Sequence, residues 1–107
     1  MGVIVKSTGI ECVMREGGRI VIPSKLRSIL AIRNKDILEI KNKHETVFLT
    51  KHEFANESIV EGCWYNPVDS KGRIVIPEDI RIELNIKNKD ELLVYMEDEF
   101  LVLKKAE

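Results

Sequence analysis

The sequence predicts a mainly-β fold with one short helix per repeat, an α+β arrangement in which two repeats complete one closed β-barrel. Three observations carry that expectation: an internal repeat, the same order of elements in each copy, and the small core either copy could bury alone. Displaced by 54 residues, Gly18-Arg19-Ile20-Val21-Ile22-Pro23 falls on Gly72-Arg73-Ile74-Val75-Ile76-Pro77. Arg27 then falls on Arg81, Leu30 on Leu84, Ile32 on Ile86, Asn34-Lys35-Asp36 on Asn88-Lys89-Asp90, and Leu38 on Leu92. From Gly18 to Leu38, 13 of 21 positions are identical. Self-similarity at a fixed spacing marks one supersecondary unit used more than once. The copies cover about residues 4–51 and 63–105, so the chain divides into repeat one at 1–52, a linker at 53–62 and repeat two at 63–107.

Each copy reads alike. Ile10 to Met14 and Trp64 to Val68 are short strands, the second weakened by Pro67. Gly17-Gly18, or Lys71-Gly72, supplies a turn where positive φ costs little. Arg-Ile-Val-Ile follows as a β-branched strand, and Pro23 or Pro77 ends it and suits the opening of a helix. Leu26, Ile29 and Leu30 share one helical face, as do Ile80 and Leu84. Ala31 and Asn85 stand where the helix stops; Asn tolerates a left-handed cap, Ala less well. Two hairpins close the copies: Ile37 to Lys41 with Val47 to Leu49 about Asn42-Lys43-His44, and Glu91 to Met96 with Phe100 to Leu103 about Glu97-Asp98. A unit of about 45 residues buries too small a share of its surface to stand alone. Each copy therefore needs another, either within the chain or from a second chain, and an oligomer is expected.

The longest apolar runs are too short to span a membrane, and the N-terminus has no signal-peptide pattern. Cys12 and Cys63 fit no zinc spacing, and a small secreted chain usually carries more cysteines, which makes a cytoplasmic protein the expectation. No nucleophile–base arrangement and no phosphate-binding glycine loop is present, so the reading is of no enzyme, no cofactor, no metal and no small-molecule substrate. His44 and His52 read as solvated; Trp64, Tyr65, Tyr95 and Phe100 read as core or interface. The net charge of -1 conceals an asymmetry. Residues 1–52 hold ten Lys/Arg against five acids, and residues 53–107 seven against thirteen. One half therefore suits a polyanion and the other does not.

Lys6-Ser7-Thr8-Gly9-Ile10, the hexapeptide from Gly18 to Pro23, Leu26-Arg27 and Lys35-Asp36 together resemble the DNA-binding domain of the AbrB and SpoVT transition-state regulators of bacteria. Val68-Asp69-Ser70-Lys71-Gly72-Arg73-Ile74-Val75-Ile76-Pro77 with Arg81 resembles it equally, and Asp69 to Arg73 is also similar to MraZ, which carries two such units. The resemblance implies an AbrB/MazE-like swapped-hairpin barrel, a homo-oligomer, and a transcriptional regulator whose arginines contact double-stranded DNA. By position those arginines are Arg19 and Arg27 in repeat one, Arg73 and Arg81 in repeat two. The chain departs from the pattern where Cys12 and Asn66 replace a first-strand arginine, where Ser28 and Ile82 replace a helix arginine, and where Arg15 replaces an acid.

Cations against phosphates supply most nucleic-acid affinity. The candidate DNA-binding set is Arg15, Arg19, Lys25, Arg27, Arg73 and Arg81. Arg15 and Arg19 flank a Gly-Gly turn, with Lys25 and Arg27 just beyond on the helix. In repeat two Glu78, Asp79 and Glu83 surround Arg81 and would repel phosphate, so repeat one is the expected DNA-binding half; repeat two completes the barrel or forms an oligomer interface. The competing structural reading has Arg19 and Arg73 tied to nearby acids such as Asp69. A rival function is an antitoxin or protein-interaction module on the same barrel. Antitoxins of this kind carry a long acidic tail, which is not expected here because Lys104-Lys105-Ala106-Glu107 follows the last strand directly.

Overall fold

The computed structural model describes residues 5–52 and 62–106. Strand β1 (Val5–Val13) leads through a single 3-10 turn (Glu16–Gly18) into β2 (Arg19–Val21), helix α1 (Ser24–Ile29) and the hairpin of β3 (Ile37–Lys43) and β4 (Thr46–Lys51). The second half runs β5 (Trp64–Pro67), β6 (Arg73–Val75), α2 (Glu78–Glu83), β7 (Glu91–Glu97) and β8 (Phe100–Lys105). Each expected element is present. Strands overrun their expected ends where a neighbour continues the ladder: β1 reaches back to Val5, which pairs with Glu97. Most of the linker, residues 53–61, lies outside the described residues.

The halves exchange strands within one chain. The main sheet runs β1-β7-β8-β4-β3-β5, so each half's first strand pairs with the other half's hairpin, and β4 lies against β8 between them. Strands β2 and β6 form a separate antiparallel ribbon centred on Ile20 opposite Ile74. Within the chain, repeat pairs with repeat.

The expected closed barrel is not formed. The sheet is open, with β1 and β5 as its edges. Strand β5 is only four residues long and ends at Pro67, which has no amide hydrogen to extend a ladder. The ribbon meets both edges through side chains instead: the Cys12 thiol donates to the Val21 carbonyl (3.4 Å), and Asn66 Nδ2 donates to the Val75 carbonyl (2.8 Å).

One apolar core serves both halves. Ile20, Ile22, Leu26, Leu38, Ile40 and Leu49 pack with Ile74, Ile76, Ile80, Leu92, Val94 and Leu101, each nearly inaccessible to solvent. The radius of gyration, 13.0 Å, is that of a single packed domain of about 100 residues, not of two beads on a linker. The helices meet this core along a narrow stripe, Leu26 with Leu30 and Ile80 with Leu84. Ile29, expected on that stripe, is 58% exposed: in a helix of six residues, only the i, i+4 pair stays over the core. Trp64, expected in the core or an interface, is 42% exposed, because it opens the edge strand β5.

The turns repeat in detail. Ala31 and Asn85 both take left-handed backbone, φ 55° and 56°. The next loops are pinned by Asp36 and Asp90, whose Oδ2 atoms accept from the main-chain N–H of Arg33 (2.8 Å) and Lys87 (2.7 Å). Lys51 and Lys105 each reach the same carboxylate at 3.3 Å and also donate to the Ala31 or Asn85 carbonyl. The first hairpin turn is His44-Glu45, two residues in place of the expected Asn42-Lys43-His44, and the second is Asp98-Glu99, one residue later than the expected Glu97-Asp98. His44 and Asp98 take the positive φ that a two-residue turn demands.

Candidate nucleic-acid interface

The strand periodicity fixes which ribbon side chains face outward. In β2 Ile20 is buried while Arg19 and Val21 are exposed; in β6 Ile74 is buried between Arg73 and Val75. Pairing sets Arg19 opposite Val75 and Val21 opposite Arg73. The outer face of the ribbon thus carries two arginines and two valines. A shallow cleft of about 350 Å³ at its side is lined by Gly17, Arg19, Pro67, Asp69, Arg73, Ile74 and Val75.

The loops before β2 and β6 share their closing main-chain bonds but differ in backbone at Gly17, φ 79°, and in their side chains. Arg15 N–H donates to the Arg19 carbonyl (2.8 Å), and Asp69 N–H to the Arg73 carbonyl (3.0 Å). In the second loop Asp69 Oδ1 accepts from the main-chain N–H of Lys71 (2.9 Å) and Arg73 (2.8 Å), and Oδ2 accepts from Arg73 Nε at 2.6 Å. The Arg73 main-chain N–H, reinforced by the guanidinium and by Lys71 N–H, holds the Asp69 carboxyl below the usual carboxylate range despite an opposing desolvation. This exposed ion pair adds little stability. Its effect is on direction, because it turns the guanidinium back toward its own loop.

Arg15 stands where that acid would be. Gly17 takes φ 79° to turn the chain in place of the carboxylate's two bonds. Arg15 and Arg19 are exposed and form no ion pair among the described residues; Glu16, the nearest acid in sequence, is exposed and not paired with Arg19. The Arg19 guanidinium lies over Gly17. Lys25 is exposed in the first turn of α1.

Arg27 and Arg81 are placed differently. Arg27 Nε donates to the Ile22 carbonyl and Arg81 Nε to the Ile76 carbonyl, both at 2.9 Å. Each guanidinium lies against a glycine of the other half, Arg27 on Gly72 and Arg81 on Gly18, so closely that a Cβ on either glycine would overlap it. Those glycines have φ 77°, and their carbonyls accept from the Ile22 and Ile76 N–H groups across the ribbon (2.8 Å). Glycine is needed there twice over, for its backbone and for its missing side chain. Both arginines thus clip the halves together, and their terminal nitrogens form no hydrogen bond among the described residues.

Of the candidate residues, then, the structure brings Arg15 and Arg19 together in one loop, leaves Lys25 exposed on α1, half-buries Arg27 and Arg81, and ties Arg73 to Asp69. Sequence reasoning missed the bridging by Cys12 and Asn66, although both stood out as departures from the arginine pattern. It also misplaced His52, which is buried: its main-chain N–H donates to the Ile37 carbonyl (2.9 Å), setting the ring edge-on against Tyr65, 4.8 Å between centroids, with Nδ1 3.8 Å from Glu39. Burial pushes the Cys12 thiol up to about 11. Cys63 is raised chiefly by desolvation, then by its hydrogen bond and charge interaction with Glu39.

Comparison with known proteins adds a class. Residues 66–107 match the family described as "Antidote-toxin recognition MazE, bacterial antitoxin". A second match is the "Transition state regulatory protein AbrB" of Bacillus subtilis (strain 168), 50% identical over 38 residues, which are 36% of this chain. The chain spans 40% of the length of that relative. Together these matches support a domain of the AbrB/MazE superfamily. "The solution structure of PHS018 from pyrococcus horikoshii" aligns with 99% of this chain and 92% of its own at 20% identity and a TM-score of 0.46, too loose a likeness to carry an argument.

Proposed function

We propose that this protein is a sequence- or shape-selective DNA-binding transcriptional regulator of AbrB type, built from two tandem AbrB-type repeats. The observation that carries the reading is the pair of exposed arginines without ion-pair partners among the described residues, Arg15 and Arg19, in the loop that feeds the outer face of the β2–β6 ribbon. A two-stranded ribbon fits the major groove of a duplex. Arg19 reaches from that ribbon toward phosphate or a base edge, and Arg15 and Lys25 add phosphate contacts beside it. Arg27 holds the ribbon and helix in register through Ile22 and Gly72. The named relative is a transition-state regulator, which agrees with this reading.

Titration with duplex DNA at several salt concentrations tests it, with melting recorded on the same samples. Arg19→Ala keeps the melting temperature within a few degrees and lowers the slope of log K against log salt by about 0.9 if Arg19 neutralises one phosphate. If Arg19 reads a guanine, discrimination at that base falls by roughly 1–3 kcal/mol with a smaller change in slope. Unfolding without a binding defect per folded molecule removes Arg19 from the interface.

The match of residues 66–107 to an antitoxin family favours a second reading, in which the acidic half serves a protein partner. A folded chain that binds no duplex even at low salt gives that reading precedence.

A further inference from the structure

We infer that Val21 and Val75, on the outer face of the β2–β6 ribbon, read thymine through its C5 methyl group, so that apolar contact selects a base while the cations hold the backbone. The inference rests on the DNA-binding reading and adds to it two residues that carry base choice and the base they choose.

Both valines stand where the ribbon meets solvent. Val21 is 41% exposed and Val75 39%, while Ile20 and Ile74 behind them are buried in the core. The register sets Val75 opposite Arg19 and Val21 opposite Arg73. The Arg19 guanidinium lies over Gly17, and Arg73 Nε is 2.6 Å from Asp69, so neither arginine shields the valine facing it. Strand propensity would be met equally by threonine and does not explain an apolar pair turned to water. Nor do other exposed apolar side chains recur between the repeats. Ile29 has Glu83 at its equivalent position, Ile82 has Ser28, Val13 has Pro67, and Trp64 has Ile10, which packs against the core. Among the described residues, 21 and 75 are the equivalent positions at which both repeats expose a large apolar side chain.

The pair is also held in place. The Val21 carbonyl accepts from the Cys12 thiol and the Val75 carbonyl from Asn66 Nδ2, which ties the end of each ribbon strand to an edge of the main sheet. A β-branched side chain on a fixed backbone has little rotamer freedom left to lose when a base edge meets it. In the major groove the C5 methyl of thymine is the apolar mark that such a side chain can contact; the other bases present donors and acceptors that valine cannot pair.

The test titrates the full chain with an alternating adenine–thymine duplex and with the same duplex carrying uracil for thymine, which removes only the C5 methyl. Melting is recorded on the same samples. Every base pair of the first duplex carries one methyl, so no binding register has to be known. Wild type is expected to bind the thymine duplex about fifteenfold more tightly, about fourfold for each methyl buried. Val21→Ser combined with Val75→Ser is expected to bind the two duplexes equally, with an unchanged salt slope because no phosphate contact is lost. Each single change is expected to leave a gap of about fourfold, and the single variants decide if the double variant does not fold. Equal affinity of wild type for the two duplexes overturns the methyl reading while DNA binding stands. An undiminished gap in the folded variants, as groove shape alone would give, does the same. No binding by wild type to either duplex at the lowest salt overturns both.

Discussion

At Ala31 a single side chain carries a conformation meant for another residue. It holds φ 55° where the equivalent Asn85 holds 56°, and a left-handed backbone costs an alanine roughly 1–2 kcal/mol more than it costs glycine. The carbonyl of each residue is tied down by a lysine, Lys51 or Lys105, so the strain cannot relax by local movement. Ala31→Gly is expected to stabilise the protein by about 1 kcal/mol, the relief of strain exceeding the added freedom of the unfolded chain. Asn85→Ala is expected to lose a similar amount. Thermal melts of the two variants check this; a destabilised Ala31→Gly contradicts it. The same positions show how far single residues are legible. A helix stop at 31 and 85 follows from where the apolar spacing ends. That alanine would accept the left-handed turn does not, because the choice is made by the hairpin whose lysine clamps it.

At the scale of elements, the loop between each helix and its hairpin hangs on one carboxylate. Asp90 accepts from Lys87 N–H and pairs with Lys105 at the end of β8, so it ties the loop after α2 to the last strand. The Lys87 main-chain N–H, then the hydrogen bond and charge of Lys105, hold its carboxyl below the usual range against desolvation. A depressed folded-state pKa gives stability that is present above the unfolded value, about 3.9, and is lost as pH falls through the lower folded value. Acid is therefore expected to lower the melting temperature through that window, and Asp90→Asn is expected to show less of this loss while being less stable near neutrality. Melts from pH 7 to pH 2 on both proteins make the comparison; parallel curves would contradict it. The repeated Asn-Lys-Asp was visible in the sequence as identity, and its turn-forming residue types hinted at a loop. Its bond to a lysine many residues away was not visible, since nothing in local spacing names a partner across a sheet.

For the whole molecule, the strand exchange makes each half the other's core and edge cover. Among the described residues, strands β1 and β5 pair only with the opposite hairpin, and Ile20 meets Ile74 at the ribbon's centre. Residues 1–52 and 63–107 expressed separately are expected not to melt cooperatively as monomers, and mixing them is expected to restore a cooperative transition. Calorimetry on each piece and on the mixture checks this; a cooperative monomeric half refutes it. Ile74→Ala in the intact chain is expected to cost about 2–5 kcal/mol, as removal of a fully buried isoleucine side chain does. A loss below about 1 kcal/mol, read from denaturant unfolding, would mean that the ribbon is not a structural joint.

The sequence by itself determined that one unit is written twice, that each unit is strand, turn, strand, helix and hairpin, and that positive charge is concentrated in the first half. These are local properties: β-branched runs, glycine turns, proline breaks and charge counts act over a few residues and need no knowledge of the rest of the chain. Tertiary structure alone decided that the repeats pair within one chain, that the sheet stays open at β1 and β5, and that His52 is buried while Ile29 and Trp64 are not. It also decided the fate of the arginines. Four of them occupy equivalent positions in two nearly identical motifs, yet two became clips because a glycine of the other half lies beneath them, one was captured by Asp69, and Arg19, whose neighbour is Arg15 and not an acid, lies over Gly17 with no ion pair among the described residues. Identity of sequence set the positions, and the groups that each position meets across the ribbon set what its charge can reach.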